Sequence, residues 1–355
     1  MATPYAVVMA GGSGTRFWPA GRKKTPKQFL SVTPPRTLIQ DTIARIPAEI
    51  PLSRTLIITN AAHADLAARE TGIPPENIIG EPVGKDTAPA IALAATIIEK
   101  RAPKSPMIVM AADHVIKPVE AFHNCLRKAI AVATESGCLV TIGVKPTHAA
   151  TGYGYIELGR DLGGAFEVST FKEKPKKDVA EEYVSSGRYL WNSGIFAWRS
   201  DVILAAIKKH AGDLAARMAP LAPAVDTQGF ATSLRYVYGG IDKISIDYAV
   251  MEHAPNRVCV PADFSWDDVG SFEALSRHNP IDAAGNVVLG RAKMIDTKRT
   301  IIDNRTPGVV ATIGLDDVII VRTGDAVLVA RRDQAEAVKR LVEEMESSGA
   351  FPDVL

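Results

Sequence analysis

A short apolar run near the start of the sequence, Tyr5-Ala6-Val7-Val8-Met9-Ala10, breaks directly into Gly11-Gly12-Ser13-Gly14-Thr15-Arg16-Phe17-Trp18-Pro19, and Pro26-Lys27-Gln28-Phe29 follows. Such a run reads as a buried strand of an open α/β sheet. The glycines then fall where the chain leaves the strand's carboxyl end, the edge at which these sheets bind ligands. Without a Cβ, glycine lets backbone N–H groups approach a polyphosphate closely. Two familiar phosphate loops are excluded by spacing. A dinucleotide fingerprint counted from Gly12 needs a glycine where Phe17 stands, and a P-loop needs a Gly-Lys-Ser/Thr ending that is absent. What remains is a phosphate loop with its own guanidinium, Arg16, and an ammonium, Lys27, a short way downstream.

Further apolar runs at 55–59, 107–111 and 139–144 alternate with helical composition at 61–69, 88–100 and 121–136, the pattern of a doubly wound α/β domain. Residues 153–158 and 166–171 predict strands of a mixed or antiparallel lobe around a second ligand, flanked by helices at 179–186 and 202–210. From Asn286 the pattern shortens into apolar pieces at 287–289, 293–295, 300–302, 309–313, 318–321 and 326–329, broken by Gly, Asp, Asn and Thr. Stacked short strands of this kind predict a small β-roll, closed by a polar-faced helix at 334–346. With 355 residues, 46% of them hydrophobic, the chain can fill one large core and a smaller one. A net charge of +1 without blocks of like charge gives no footprint for nucleic acid or an anionic membrane. Three scattered cysteines, no signal peptide and no apolar run of membrane-spanning length predict a reduced cytoplasmic protein.

The loop with Arg16 and Lys27 resembles the signature of the sugar-1-phosphate nucleotidylyltransferases, and its Phe-Trp-Pro and Pro-Lys-Gln-Phe variants resemble the branch that uses GTP and mannose 1-phosphate. Other stretches match the family in the same order, as far as Gly314-Leu315-Asp316-Asp317-Val318. The resemblance implies a Rossmann-like nucleotidyltransferase domain with a mixed central sheet over 1–280, in which residues 1–145 bind the nucleotide and residues 146–280 form the sugar-binding lobe. It also implies a small left-handed β-helix-like domain over 281–355, with a homodimer through that domain. Longer relatives carry an additional isomerase domain for which this sequence has no room, so transferase activity alone is expected.

The same resemblance assigns the residues. Ala10, Gly11, Gly12, Gly14 and Thr15 would cradle the triphosphate. Arg16 would take the leaving pyrophosphate, since its planar fork suits phosphate oxygens, and Lys27 would take the α-phosphate. Glu81, Gly84 and Thr87, in Glu81-Pro82-Val83-Gly84-Lys85-Asp86-Thr87, would bind guanine. A carboxylate there could accept both N1–H and N2–H, a donor pair that adenine lacks. The family commonly has Arg-Asn where this chain has Lys85-Asp86, so a ligand role for Asp86 is not carried over, and Asp86 or Thr87 suits a helix N-cap. Asp113, in Ala112-Asp113-His114, and Asp268, in Trp266-Asp267-Asp268-Val269-Gly270, would hold Mg²⁺, a hard cation that prefers oxygen and keeps much of its water. His114 would be an orienting or structural histidine and not a ligand, because magnesium prefers oxygen. Gly154, Glu173, Lys174, Asn192 and Asp247 would bind the sugar phosphate. A phosphate monoester is already largely dianionic near neutrality, its second pKa being about 6, so neither a nucleophilic side chain nor a general base is required. Lys27→Ala is therefore expected to abolish turnover with normal thermal unfolding. A different sugar, such as glucose, fucose or heptose, and a non-catalytic paralogue remain alternatives. The paralogue is disfavoured by the presence of every phosphate-handling and metal residue.

Overall fold

The computed structural model describes residues 2–12 and 14–355, so Ser13 of the glycine-rich turn lies outside the described residues. The chain forms two compact units that are not contiguous in sequence. One unit takes the chain up to Gly11, Arg45–Ala112 and Ile116–Trp266; the other takes Gly12–Ala44, Asp113–Val115 and Asp267–Leu355.

The strands of the first region are β1 (Tyr5–Ala10), β2 (Thr55–Asn60), β3 (Ile78–Glu81), β4 (Pro106–Ala111), β5 (Val115–Lys117), β6 (Leu139–Val144), β7 (Tyr155–Asp161), β8 (Phe166–Lys172), β9 (Tyr189–Arg199) and β10 (Arg257–Pro261). All but β5 join one mixed sheet in the order β3-β2-β1-β4-β9-β6-β10-β8-β7. The β3-β2-β1-β4 half is parallel, and its order reverses between β1 and β4, which places the carboxyl end of β1 at a topological switch point. There the Ala112 N–H bonds to the Met9 carbonyl at 2.9 Å.

The helix Thr87–Arg101 is buried on every face from Ala88 to Ile98, as a helix apolar all round must be. Asp86 caps it, accepting the Thr87 N–H at 2.7 Å from a backbone with φ of 73°. Strand β9 is not evident in the sequence because Asn192-Ser193-Gly194 interrupts its apolar pattern. The fold absorbs those groups: the Ser193 hydroxyl donates to the Ile142 carbonyl at 2.7 Å, and the β6–β9 register shifts between Thr141 and Gly143.

The second unit holds β12 (Val287–Leu289), β13 (Ala292–Ile295), β14 (Ile301–Asn304), β15 (Val310–Ile313), β16 (Val318–Arg322) and β17 (Val327–Arg331), after a short β11 (Ser265–Asp267). Strands β12, β14 and β16 stack in parallel, as do β13 and β15, and β17 closes the stack antiparallel to β16. This is the β-helix-like domain. Val287 pairs Ile301 and Ile301 pairs Ile319 at unequal intervals, so no strict period shows in the sequence. Its core also takes Phe17, Trp18, Leu30 and Leu38 from the N-terminal segment, together with Val338 and Val342 of the helix Val338–Ser348. The Trp18 indole donates to the Val354 carbonyl at 2.8 Å.

Candidate active site

In the second unit the sequence places Gly14 at φ 63°, and a Cβ there would lie 2.5 Å from Lys27 Cβ and 2.6 Å from Lys27 N. Only glycine lets the turn approach this closely. Thr15 then opens a short 3₁₀ turn, Thr15–Phe17, and Lys27 opens another, Lys27–Phe29. Gly12 stands exposed with nothing near its missing side chain. The buried Lys27 ammonium lies 2.8 Å from Asp113 Oδ2, donates to the Asp268 carbonyl at 2.5 Å, and sits 6.0 Å from the Phe17 ring centroid. Burial resists ionisation of Asp113, but Lys27 and His114 hold its carboxyl below the ordinary carboxylate range. His114 Nε2 lies 3.9 Å from Asp113 Oδ1.

The two neighbouring aspartates part company here. Asp267 accepts the Val269 N–H at 2.8 Å, two Arg277 donors at 2.5 and 2.9 Å, and has His278 Nε2 at 2.8 Å. Those donors overcome burial and pull its carboxyl well below the ordinary value. The Asp267 carboxylate is thereby occupied in holding the loop, whereas Asp268 meets Lys27 through its backbone carbonyl. Val269, β-branched and fully buried, is held at φ 52°, a strained backbone next to Asp268. Arg16 donates to the Gly270 carbonyl at 3.3 Å, and a Cβ on Gly270 would lie 3.4 Å from Asp268 Oδ2 and 3.6 Å from Arg16 Nη1. Arg16, Lys27, Asp113 and Asp268 are thus gathered around one loop. Among the described residues no group of three or more His, Cys, Asp or Glu forms a closed metal cage. Mg²⁺ needs no such cage, since it binds through one or two carboxylates and keeps several waters.

In the first unit, Ala10 ends β1 with its carbonyl accepting the Thr59 hydroxyl at 3.0 Å. Glu81 ends β3, only 4% exposed, and its Oε1 is buried without a hydrogen-bond partner. Its Oε2 lies 3.6 Å from where a Gly11 Cβ would stand. Burial pushes this carboxyl up to about 7; the nearby Tyr238 hydroxyl opposes the shift without making a well-formed hydrogen bond. Gly84 has open space around it. Thr87 Oγ1 accepts the Ile246 N–H at 2.8 Å, so this hydroxyl ties the segment carrying Asp247 to the helix Thr87–Arg101.

The five predicted sugar-phosphate residues converge. Asn192 donates from Nδ2 to Asp247 Oδ1 at 2.9 Å, while its Oδ1 accepts the Thr141 hydroxyl at 3.0 Å, which fixes the amide's orientation. Its N–H bonds to the Gly154 carbonyl at 2.8 Å. A Cβ on Gly154 would overlap Glu173 Oε2 and stand 3.2 Å from Asn192 Cβ. Glu173 is 8% exposed, with Lys174 Nζ at 3.1 Å from Oε1. Lys174 itself takes φ 45°. Burial raises the Glu173 carboxyl against the pull of Lys174, and burial together with Glu173 raises that of Asp247. The sequence reading misses Thr141, Tyr238 and Glu252, whose Oε1 accepts the Glu173 N–H at 3.1 Å. Only Glu252 carries a signal, standing five residues after Asp247.

The nucleotidyl transferase family model matches residues 5–284, and that of the MannoseP isomerase/GMP-like beta-helix domain matches residues 280–345. The mannose-1-phosphate guanylyltransferase of Escherichia coli (strain K12) is 40% identical over 356 residues, covering 97% of this chain and 74% of that protein. Mannose-1-phosphate guanylyltransferase ManC of Salmonella typhimurium is 40% identical over 359 residues, with the same coverage of 97% and 74%. A crystal structure from Thermus thermophilus, described as a mannose-1-phosphate geranyltransferase, superposes with a TM-score of 0.87 at 35% identity, covering 97% of this chain and 99% of that one.

Proposed function

The chain belongs to the nucleotidyl transferase family of enzymes, and on that premise we propose that it transfers GMP from GTP to α-D-mannose 1-phosphate, giving GDP-mannose and pyrophosphate. The relatives at 40% identity that are named for this reaction support the substrate pair. The observation that carries the choice of base is Glu81, a buried carboxylate with an oxygen left unpartnered at the carboxyl end of a parallel strand. Such a group calls for a ligand with adjacent N–H donors, and guanine offers N1–H and N2–H.

The sugar-phosphate oxygen attacks the α-phosphorus in line, forming the new P–O bond as the bond to the β-phosphate oxygen breaks and pyrophosphate leaves. Lys27 neutralises charge at the α-phosphate, and Arg16 receives the pyrophosphate. Lys174 holds the acceptor's phosphate while Glu173, Asn192, Asp247 and the Gly154 backbone hold its hydroxyls. Asp113 and Asp268 would hold Mg²⁺, which supplies positive charge to phosphate oxygens when bound. The Asp113 carboxylate pairs with the Lys27 ammonium, which holds that ammonium in place.

We assign the exposed Ile313 and Val329 of the β-helix-like domain to a homodimer contact, checked by the solution mass of the purified protein. A reduced cytoplasmic setting is supported by three free cysteines, of which Cys125 and Cys259 are buried. No helix among the described residues is long and apolar enough to cross a membrane. The function is tested by pyrophosphate release with GTP, ATP, UTP and dTTP against mannose 1-phosphate and glucose 1-phosphate. Release confined to GTP with mannose 1-phosphate supports the reading; a better pair reassigns the substrate.

A further inference from the structure

Arg16 has a second partner that the proposed reaction does not use. Its Nε lies 2.9 Å from Oε2 of Glu336, while Nη1 bonds to the Gly270 carbonyl, and its remaining N–H groups are left for phosphate. Glu336 stands in the 3₁₀ segment Arg332–Ala337 of the C-terminal region, far from Arg16 in sequence. That segment is firmly seated. Arg332 grips Glu273 through two bonds of 2.8 and 2.6 Å, its N–H bonds to the Asp317 carbonyl at 3.0 Å, and Ala335 is buried. The carboxylate is therefore held beside Arg16 by a rigid support, although the pair itself is open to solvent, 44% exposed on the arginine and 67% on the glutamate.

An exposed ion pair contributes little net energy and is cheaply exchanged, yet a carboxylate tethered at contact distance acts at a high effective concentration. A triphosphate or pyrophosphate offers the same guanidinium a stronger, multiply charged partner. We propose that Glu336 is an internal competitor for Arg16: it takes the guanidinium when pyrophosphate leaves and yields it when GTP binds. Glu336 thereby opposes trapping of the leaving group, at the expense of some affinity for GTP. The inference rests on the assignment of Arg16 to the pyrophosphate.

Glu336→Gln keeps the shape of the exposed side chain and removes its charge. The Michaelis constant for GTP and the inhibition constant of added pyrophosphate are expected to fall together, each by about three- to fivefold, the scale of an exposed ion pair. The Michaelis constant for mannose 1-phosphate stays unchanged, which a general loosening of structure would not leave in place. If both phosphate constants hold steady or rise, Glu336 is an incidental surface partner or a support for Arg16, and the proposal is overturned. Arg16→Gln separates failure of the competitor from failure of the Arg16 assignment. It should weaken pyrophosphate inhibition by more than tenfold and abolish the effect of adding Glu336→Gln. Unchanged inhibition in Arg16→Gln would remove the Arg16 assignment itself, whereas weakened inhibition beside a silent Glu336→Gln would remove only the competitor.

Discussion

Replacing Glu81 by Gln should make the ligand-free protein more stable while impairing recognition of guanine. In the fold the carboxyl titrates at about 7, against 4.5 ordinarily, because it is buried without full hydrogen-bond compensation. At about 1.4 kcal/mol per pH unit of displacement, ionising it inside the protein costs on the order of 3 kcal/mol. The folded-state value lies above the unfolded one. The cost is therefore absent below about pH 4.5, grows as pH rises towards 7, and is complete above it. Glutamine has the same shape and no charge to bury. Glu81→Gln should accordingly raise the unfolding temperature at pH 8 by several degrees and leave it nearly unchanged at pH 4.5. In the same variant a carboxamide places an NH₂ donor against guanine's donors, so kcat/KM for GTP should fall by about 10²-fold, the scale of a hydrogen-bonded pair to a charged acceptor. Thermal unfolding at the two pH values and steady-state kinetics with GTP make the test. Equal stability changes at both pH values, or undiminished kcat/KM, would refute the reasoning.

Lys27→Ala should lower turnover by about 10²-fold or more. Because Lys27 is buried between Asp113 and the Asp268 carbonyl, its unfolding temperature should also drop by a few degrees, a revision of the normal unfolding expected from sequence. Calorimetry beside a pyrophosphate assay checks both. Gly154→Ala should raise the Michaelis constant for mannose 1-phosphate at least tenfold with that for GTP unchanged, since the added methyl displaces Glu173 and presses on Asn192. Chelation of divalent cations should stop pyrophosphate release and added Mg²⁺ restore it, with Asp113→Asn shifting half-saturation to higher Mg²⁺; activity indifferent to chelator would remove the metal from the account.

The parallel strands and their helices are legible because burial on both faces writes continuous apolar runs, as in β1, β4 and β6. Strand β9 escapes that logic, since its polar Asn192 and Ser193 are satisfied by groups on β6 that only the sheet order brings near. The grouping of Gly12–Ala44 with Asp267–Leu355 escapes it too. Contacts such as Trp18 with Val354 link the ends of the chain and leave no local pattern. At the site, family resemblance picks out Asp268 over Asp267, while the bonds of Arg277 and His278 to Asp267 leave no trace in the sequence. Tyr238, Thr141 and Glu336 act through neighbours distant in sequence, and residue type alone marks none of them.

The central claim, that an oxygen of the sugar phosphate attacks the α-phosphorus of GTP and expels pyrophosphate, is tested most directly with mannose 1-phosphate carrying ¹⁸O in its phosphate. Mass spectrometry of the products should find all of the label in GDP-mannose and none in the pyrophosphate. Label in pyrophosphate or in free phosphate, or GTP consumed without a labelled nucleotide sugar, would contradict the account.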